Sequence, residues 1–156
     1  MPGREAPLIS TGVPIGSDPV SHPSVPGFGG PTGVGGATAG STVYSYGNSS
    51  LRGGVSKLSP KQGTVLSVAG GGWSRNVVTV TPGVPGDSGS GFLSSSGQAF
   101  GVLSTLQLAP LAGSNGVGDL GNELAYMRAN SSFGSVQLVP GTEPFKPHLV
   151  GAILGA

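Results

Sequence analysis

The chain has 156 residues, a formal net charge of +1 and only 8% charged residues, which gives no electrostatic case for nucleic acid or an anionic membrane as partner. It has no cysteine and two histidines, excluding a disulfide framework and thiolate metal sites, and neither a metal nor a cofactor is expected. Its 31 glycines and 14 prolines approach the composition of low-complexity chains, but 36% of the residues are hydrophobic and fall in Val/Leu/Thr-rich runs, pointing to one ordered all-β domain with many tight turns.

Residues 1–40 carry prolines at 2, 7, 14, 19, 23, 26 and 31 and glycines at 27, 29, 30, 33, 35 and 36. Proline removes backbone donors and glycine raises the entropy cost of ordering, so this stretch is expected to be an irregular linker or wrapping loop. The N-terminal Met1-Pro2-Gly3-Arg4-Glu5 lacks the basic start and apolar core of a signal peptide. No apolar run reaches transmembrane length, the closing residues 149–156 included.

From Ser41 the pattern turns to short β-type runs. Thr42-Val43-Tyr44-Ser45-Tyr46 closes on the turn signal Gly47-Asn48, Gly54-Val55-Ser56-Lys57-Leu58 alternates into a Ser59-Pro60 turn, and Thr64-Val65-Leu66-Ser67-Val68 ends at three glycines. Asn76-Val77-Val78-Thr79-Val80, Gly91-Phe92-Leu93 and Ala99-Phe100-Gly101-Val102-Leu103-Ser104 complete six predicted strands, the order of a sandwich or small closed barrel. A helix is predicted over about 119–130, with Asp119 as N-cap, an apolar stripe Leu120, Leu124, Met127, and a stop at Asn130-Ser131. Residues 136–139 are a candidate last strand, and 140–156 an irregular tail.

Between the fourth and fifth predicted strands lies Pro85-Gly86-Asp87-Ser88-Gly89-Ser90-Gly91. A serine between glycines can stand exposed on a tight turn, and the glycines let backbone N–H groups approach a reacting carbonyl. This loop resembles the nucleophile loop of chymotrypsin-like (trypsin-fold) serine proteases, most closely the secreted actinobacterial type. Gly101-Val102-Leu103-Ser104-Thr105 and the terminal helix are similar to the strand and helix that come after that loop in the family, so the likeness spans roughly residues 41–130. It implies a six-stranded Greek-key β-barrel, the second barrel of the trypsin-like fold, over residues 41–139.

By the same likeness Ser88 is the catalytic nucleophile, and the Gly86 and Ser88 amides form the oxyanion hole. Asp87 turns inward as a loop anchor, with Arg52 or Arg75 as its partner. Ser104, Thr105 and Leu106 bind substrate backbone as an added strand. The implied function is a serine endopeptidase acting on peptide or protein substrates and secreted from the cell. An α/β-hydrolase elbow does not fit, since position 90 is Ser and no βαβ alternation surrounds the motif.

The family's histidine and its aspartate lie in a first barrel upstream, and no matching segment stands here. The expectation is a nucleophile half without its partner, from a truncated product or an incorrect start at Met1, with an exposed apolar inter-barrel face prone to self-association. His22 with Asp18 lies in the loose segment and His148 near the tail; both read as solvated loop histidines. Position 82 is Pro where trypsin-type enzymes carry a carboxylate, and position 84 is Val where many relatives have cysteine, so an apolar or small-residue pocket is expected.

The alternative is a non-catalytic pseudo-protease or peptide-binding barrel; a Gly-rich adhesion domain is a third reading. Asn48-Ser49-Ser50 and Asn130-Ser131-Ser132 match glycosylation acceptors by chance in a Ser-rich chain. Lys57, Lys61 and Arg52 read as scattered surface charges, and Tyr44, Tyr46 and Trp73 as packing residues rather than a carbohydrate platform.

Overall fold

The computed structural model describes residues 23–53, 55–107 and 114–155. Six strands, β1 (Thr42–Tyr46), β2 (Pro60–Ala69), β3 (Ser74–Thr79), β4 (Gly91–Ser94), β5 (Ala99–Gln107) and β6 (Ser114–Asp119), form a closed antiparallel barrel in the order β1-β2-β3-β6-β5-β4. β4 returns to lie beside β1, with Tyr44 opposite Leu93, so β4-β1-β2-β3 is a Greek key. Two helices follow, α1 (Leu120–Asn130) and α2 (Leu149–Leu154). The all-β, six-stranded barrel with a helix after its last strand is therefore present.

Inside the barrel Val43, Val65, Val77, Phe92, Phe100, Leu103 and Val117 form one apolar core, with Phe92 and Phe100 edge to face at 6.1 Å. Each contributes about 1.5–3 kcal/mol by leaving water. A second core lies on the outer face of β1 and β4. Phe28 meets Tyr44 at 5.3 Å between ring centroids, Phe145 meets the same ring at 5.6 Å, and Leu93, Leu120, Leu124 and Ala152 join them. β1 and β4 are thus covered on both faces, which explains why Val43 and Tyr44, neighbours in sequence, are both buried.

Four elements differ from the sequence reading. Residues 55–58 are no strand: a 3-10 turn occupies Ser56–Leu58. β2 starts at Pro60, where the sequence suggests a turn, and tolerates proline at its first position. The sixth strand is Ser114–Asp119, while residues 136–139 stay irregular. The tail is not irregular throughout, since α2 lies within it.

Of the two forms expected for residues 1–40, residues 23–40 take that of an irregular wrapping loop rather than a loose linker. Val25 and Phe28 are buried, and backbone bonds Gly30 N–H to Glu143 O (3.0 Å), Gly141 N–H to Pro31 O (2.8 Å) and Lys146 N–H to Phe28 O (2.7 Å) clasp it to the tail. Helix α1 is capped as expected, Asp119 Oδ1 accepting from the Asn122 N–H at 2.7 Å.

Candidate functional site

The loop between β3 and β4 carries the Gly86-Asp87-Ser88-Gly89 turn. Gly86 has φ 97° and its α-carbon lies against Ser49, where a Cβ would come 2.7 Å from Oγ, so both conformation and space require glycine there. Ser88 stands exposed on the turn, while Asp87 is fully buried beneath it. Alternate side chains of the turn therefore point out and in.

Asp87 is held from four sides. Its Oδ1 accepts from the Ser49 N–H at 3.1 Å, and its Oδ2 accepts from the Val84 N–H at 3.1 Å and from the Arg52 guanidinium. Lys61 Nζ lies 3.3 Å from the same Oδ2 and donates to the Thr81 and Pro82 carbonyls at 3.2 and 3.0 Å. Burial by itself pushes the Asp87 carboxyl up, but the Arg52 and Val84 bonds and the two nearby cations outweigh it and hold it below its ordinary value. Burial pushes Lys61 down, against the pull of Asp87.

The anchor's partner is thus Arg52. Arg75 lies elsewhere, 2.7 Å from Asp119 at the start of α1. Arg52 and Lys61 are not surface charges, since the Arg52 side chain is 6% exposed and that of Lys61 0%. Nothing in the local pattern of residues 60–62 marks Lys61 as buried; its location follows from strand β2 passing directly under the serine loop.

The loop's backbone donors divide into two sets. The Asp87, Gly89 and Ser90 N–H groups donate to Val84 O, Leu103 O and Asp87 O at 3.0, 2.9 and 3.0 Å. The Gly86 and Ser88 N–H groups have no acceptor among the described residues. These are the two amides that the family resemblance assigns to an oxyanion hole. They border an open cleft of about 510 Å³ lined by Pro26, Tyr46, Asn48, Gly86, Ser88, Gly89 and Ser90. No motif in the sequence marks Pro26, Tyr46 or Asn48 as a site residue; only the clasp of residues 24–31 onto the barrel brings Pro26 there.

No family model matches this chain, and no characterised protein matches its sequence.

β5 passes directly beside the loop. Leu103 donates to Ser90 O and accepts from the Gly89 N–H, both at 2.9 Å. The ladder to β4 ends at Val102, whereas β5 remains paired with β6 as far as Gln107. Ser104, Thr105 and Leu106 are exposed, and beyond Leu103 the loop side of this strand has no partner strand among the described residues. Ser104 Oγ donates to Gly116 O at 3.1 Å, so it supports the neighbouring strand and no carboxylate.

Among the described residues that line the cleft there is no imidazole, carboxylate or amine. His148 is exposed at the start of α2 and is not among them; His22 and Asp18 lie outside the described residues. Tyr44, Tyr46 and Trp73 are not brought together: Tyr44 is in the outer core, Tyr46 in the cleft, and Trp73 sits edge-on to Tyr126 at 6.2 Å. Among the described residues no cluster of His, Cys, Asp and Glu could hold a metal, and no helix is long and apolar enough to cross a membrane.

Proposed function

We propose that this barrel is the nucleophile-bearing part of a trypsin-like serine endopeptidase, a hydrolase that attacks peptide bonds through Ser88. The observation that carries the reading is the pair of N–H groups, Gly86 and Ser88, that have no acceptor among the described residues and lie beside an exposed serine hydroxyl. Ser88 Oγ adds to the scissile carbonyl carbon, its proton passes to a base, and the oxyanion is held by the two amides. The amine leaves with that proton and water then releases the acyl group from Ser88. The base and its orienting aspartate are supplied from outside the lining of this cleft, by a partner barrel in the family's manner, and the setting is extracellular.

The unpartnered side of β5 receives the substrate backbone at Ser104, Thr105 and Leu106. Pro82 and Val84 supply no carboxylate, and the Gly83 N–H is occupied by Asn115 Oδ1 at 3.1 Å, so small or apolar side chains are favoured beside the scissile bond. A fluorophosphonate probe tests the nucleophile. Labelling located at Ser88 by mass spectrometry and lost in Ser88→Ala is expected once the base-bearing partner barrel is supplied to the chain; absence of labelling with that barrel present would count against it.

A second reading, a peptide-binding barrel without catalysis, is favoured by one observation. Among the described residues no imidazole, carboxylate or amine lines the cleft to take the serine proton.

A further inference from the structure

We infer that the Ser88 cleft binds the free α-carboxylate of a polypeptide chain, with the residues before that carboxylate paired along the unpartnered side of β5. This rests on the peptide-groove part of the proposed function but needs no catalysis. A neutral amide carbonyl gains the full benefit of two aimed N–H groups only as negative charge develops on it, which requires a base to take the serine proton. No such base lines the cleft among the described residues. A terminal carboxylate brings its charge already formed, and backbone N–H concavities are a recurrent means of capturing one. One carboxylate oxygen accepts from the Gly86 and Ser88 N–H groups, and the other from the Ser88 hydroxyl.

Charge and register agree with this ligand. Directly behind the loop two cations, Arg52 and Lys61, face the single carboxylate of Asp87, leaving one positive charge in excess. No acidic side chain among the described residues lines the cleft to oppose an incoming anion. The Leu103 bonds to Gly89 and Ser90 place the start of the unpartnered stretch of β5 beside the N–H pair. An extended chain ending at the pair can therefore run back along Ser104, Thr105 and Leu106, at about 3.3 Å per residue. Main-chain bonding supplies affinity there, and the carboxylate selects chain ends over internal segments.

Fluorescence anisotropy with N-terminally labelled hexapeptides ending in Ala, Val, Leu or Phe tests the proposal, each made as the free acid and as the C-terminal amide. At least one free acid should bind about tenfold tighter than its amide, the size of one charge-assisted bond set. Ser88→Asp, at an exposed position where folding is unaffected, should abolish the preference by placing an anion in the pocket. Ser88→Ala should weaken the acid several-fold while retaining it.

Equal binding of acids and amides overturns the carboxylate assignment and leaves the peptide groove standing. Binding of neither overturns the proposal. Acid-selective binding by a chain that no fluorophosphonate labels even with the base-bearing barrel supplied upholds the inference while removing the endopeptidase.

Discussion

Gly47 stands against Asp87 so closely that a Cβ at position 47 would overlap the buried carboxylate, its Cγ included at 2.6 Å. Gly47 ends the first strand and Asp87 anchors the serine loop, so the barrel's first turn sets where Ser88 sits. Gly47→Ala forces the carboxylate away from Arg52, Lys61 and the Ser49 N–H. The cost is about 3 kcal/mol, from overpacking and loss of a buried ion contact. Thermal unfolding should show a Tm lowered by roughly 10 °C. A wild-type Tm would mean that the carboxylate has room to move and that Gly47 does not position the loop.

The three charges beneath Ser88 are not equivalent. Removing Arg52 leaves Asp87 without its direct guanidinium bond, and Arg52→Ala should cost about 3–5 kcal/mol. Lys61→Met should be far milder, within about 1 kcal/mol of wild type. Asp87 keeps Arg52, Thr81 O keeps the Thr79 hydroxyl at 2.8 Å, and Pro82 O keeps Arg52 at 3.2 Å, so no buried acceptor is orphaned. Urea unfolding of both variants decides this; a Lys61→Met loss as large as that of Arg52→Ala would make the lysine a required partner.

The same cluster sets an acid limit. The folded Asp87 carboxyl is held below its ordinary value, so the unfolded chain takes up its proton first as the pH falls. The stability that Asp87 contributes is complete above the ordinary carboxylate range. It is lost as the pH falls through that range towards the depressed folded value. Unfolding free energy measured from pH 6 down to pH 2 should therefore fall, and Asp87→Asn should be less stable at pH 6 with a flatter profile. Parallel profiles for the two proteins would locate the acid sensitivity elsewhere.

What the sequence made legible depends on which forces act locally. β1, β4 and β5 announce themselves through apolar and aromatic runs, and Asp119 with Leu120 and Leu124 marks α1. β6 does not: Ser114-Asn115-Gly116-Val117-Gly118-Asp119 has one apolar core residue, Val117, and is held by pairing on both sides and by a buried asparagine. The Gly54-to-Leu58 stretch alternates like a strand, yet Ser56–Leu58 form a 3-10 turn, and the Leu58 carbonyl accepts at 2.9 Å from Arg52, the side chain that also holds Asp87. The serine turn was readable because its glycines are local requirements. The burial of Lys61 and the cleft position of Pro26 were not, because long-range contacts create both.

Asn115 shows how much a strand of this kind relies on polar satisfaction. Its amide donates to Val77 O at 3.2 Å and Thr79 Oγ1 at 3.0 Å and accepts from the Gly83 N–H at 3.1 Å. Asn115→Ala leaves these groups unpaired in the interior and should cost about 2–4 kcal/mol. Asn115→Asp keeps the acceptor for Gly83 but places an unpaired charge beside the Val77 carbonyl, and should be no better. Chemical denaturation ranks the three proteins; an Ala variant as stable as wild type would show that water replaces the asparagine.

The clasp between residues 24–31 and 141–146 also reaches the site, because Phe28 anchors the segment whose Pro26 forms one wall of the Ser88 cleft. Phe28 is fully buried against Tyr44, and Phe28→Ala should cost about 3–5 kcal/mol as cavity and lost transfer energy. The clasp covers the outer face of β1 and β4, not the barrel interior, so the loss should be uneven. Hydrogen exchange at Gly30, Gly141 and Lys146 should rise more than at Val77 or Val117 in the barrel wall. With its wall loosened, the cleft should also bind labelled free-acid peptides several-fold more weakly, although Phe28 lines none of it. Equal loss of protection at all these amides would make clasp and barrel one cooperative unit, and unchanged peptide binding would remove Pro26 from the site.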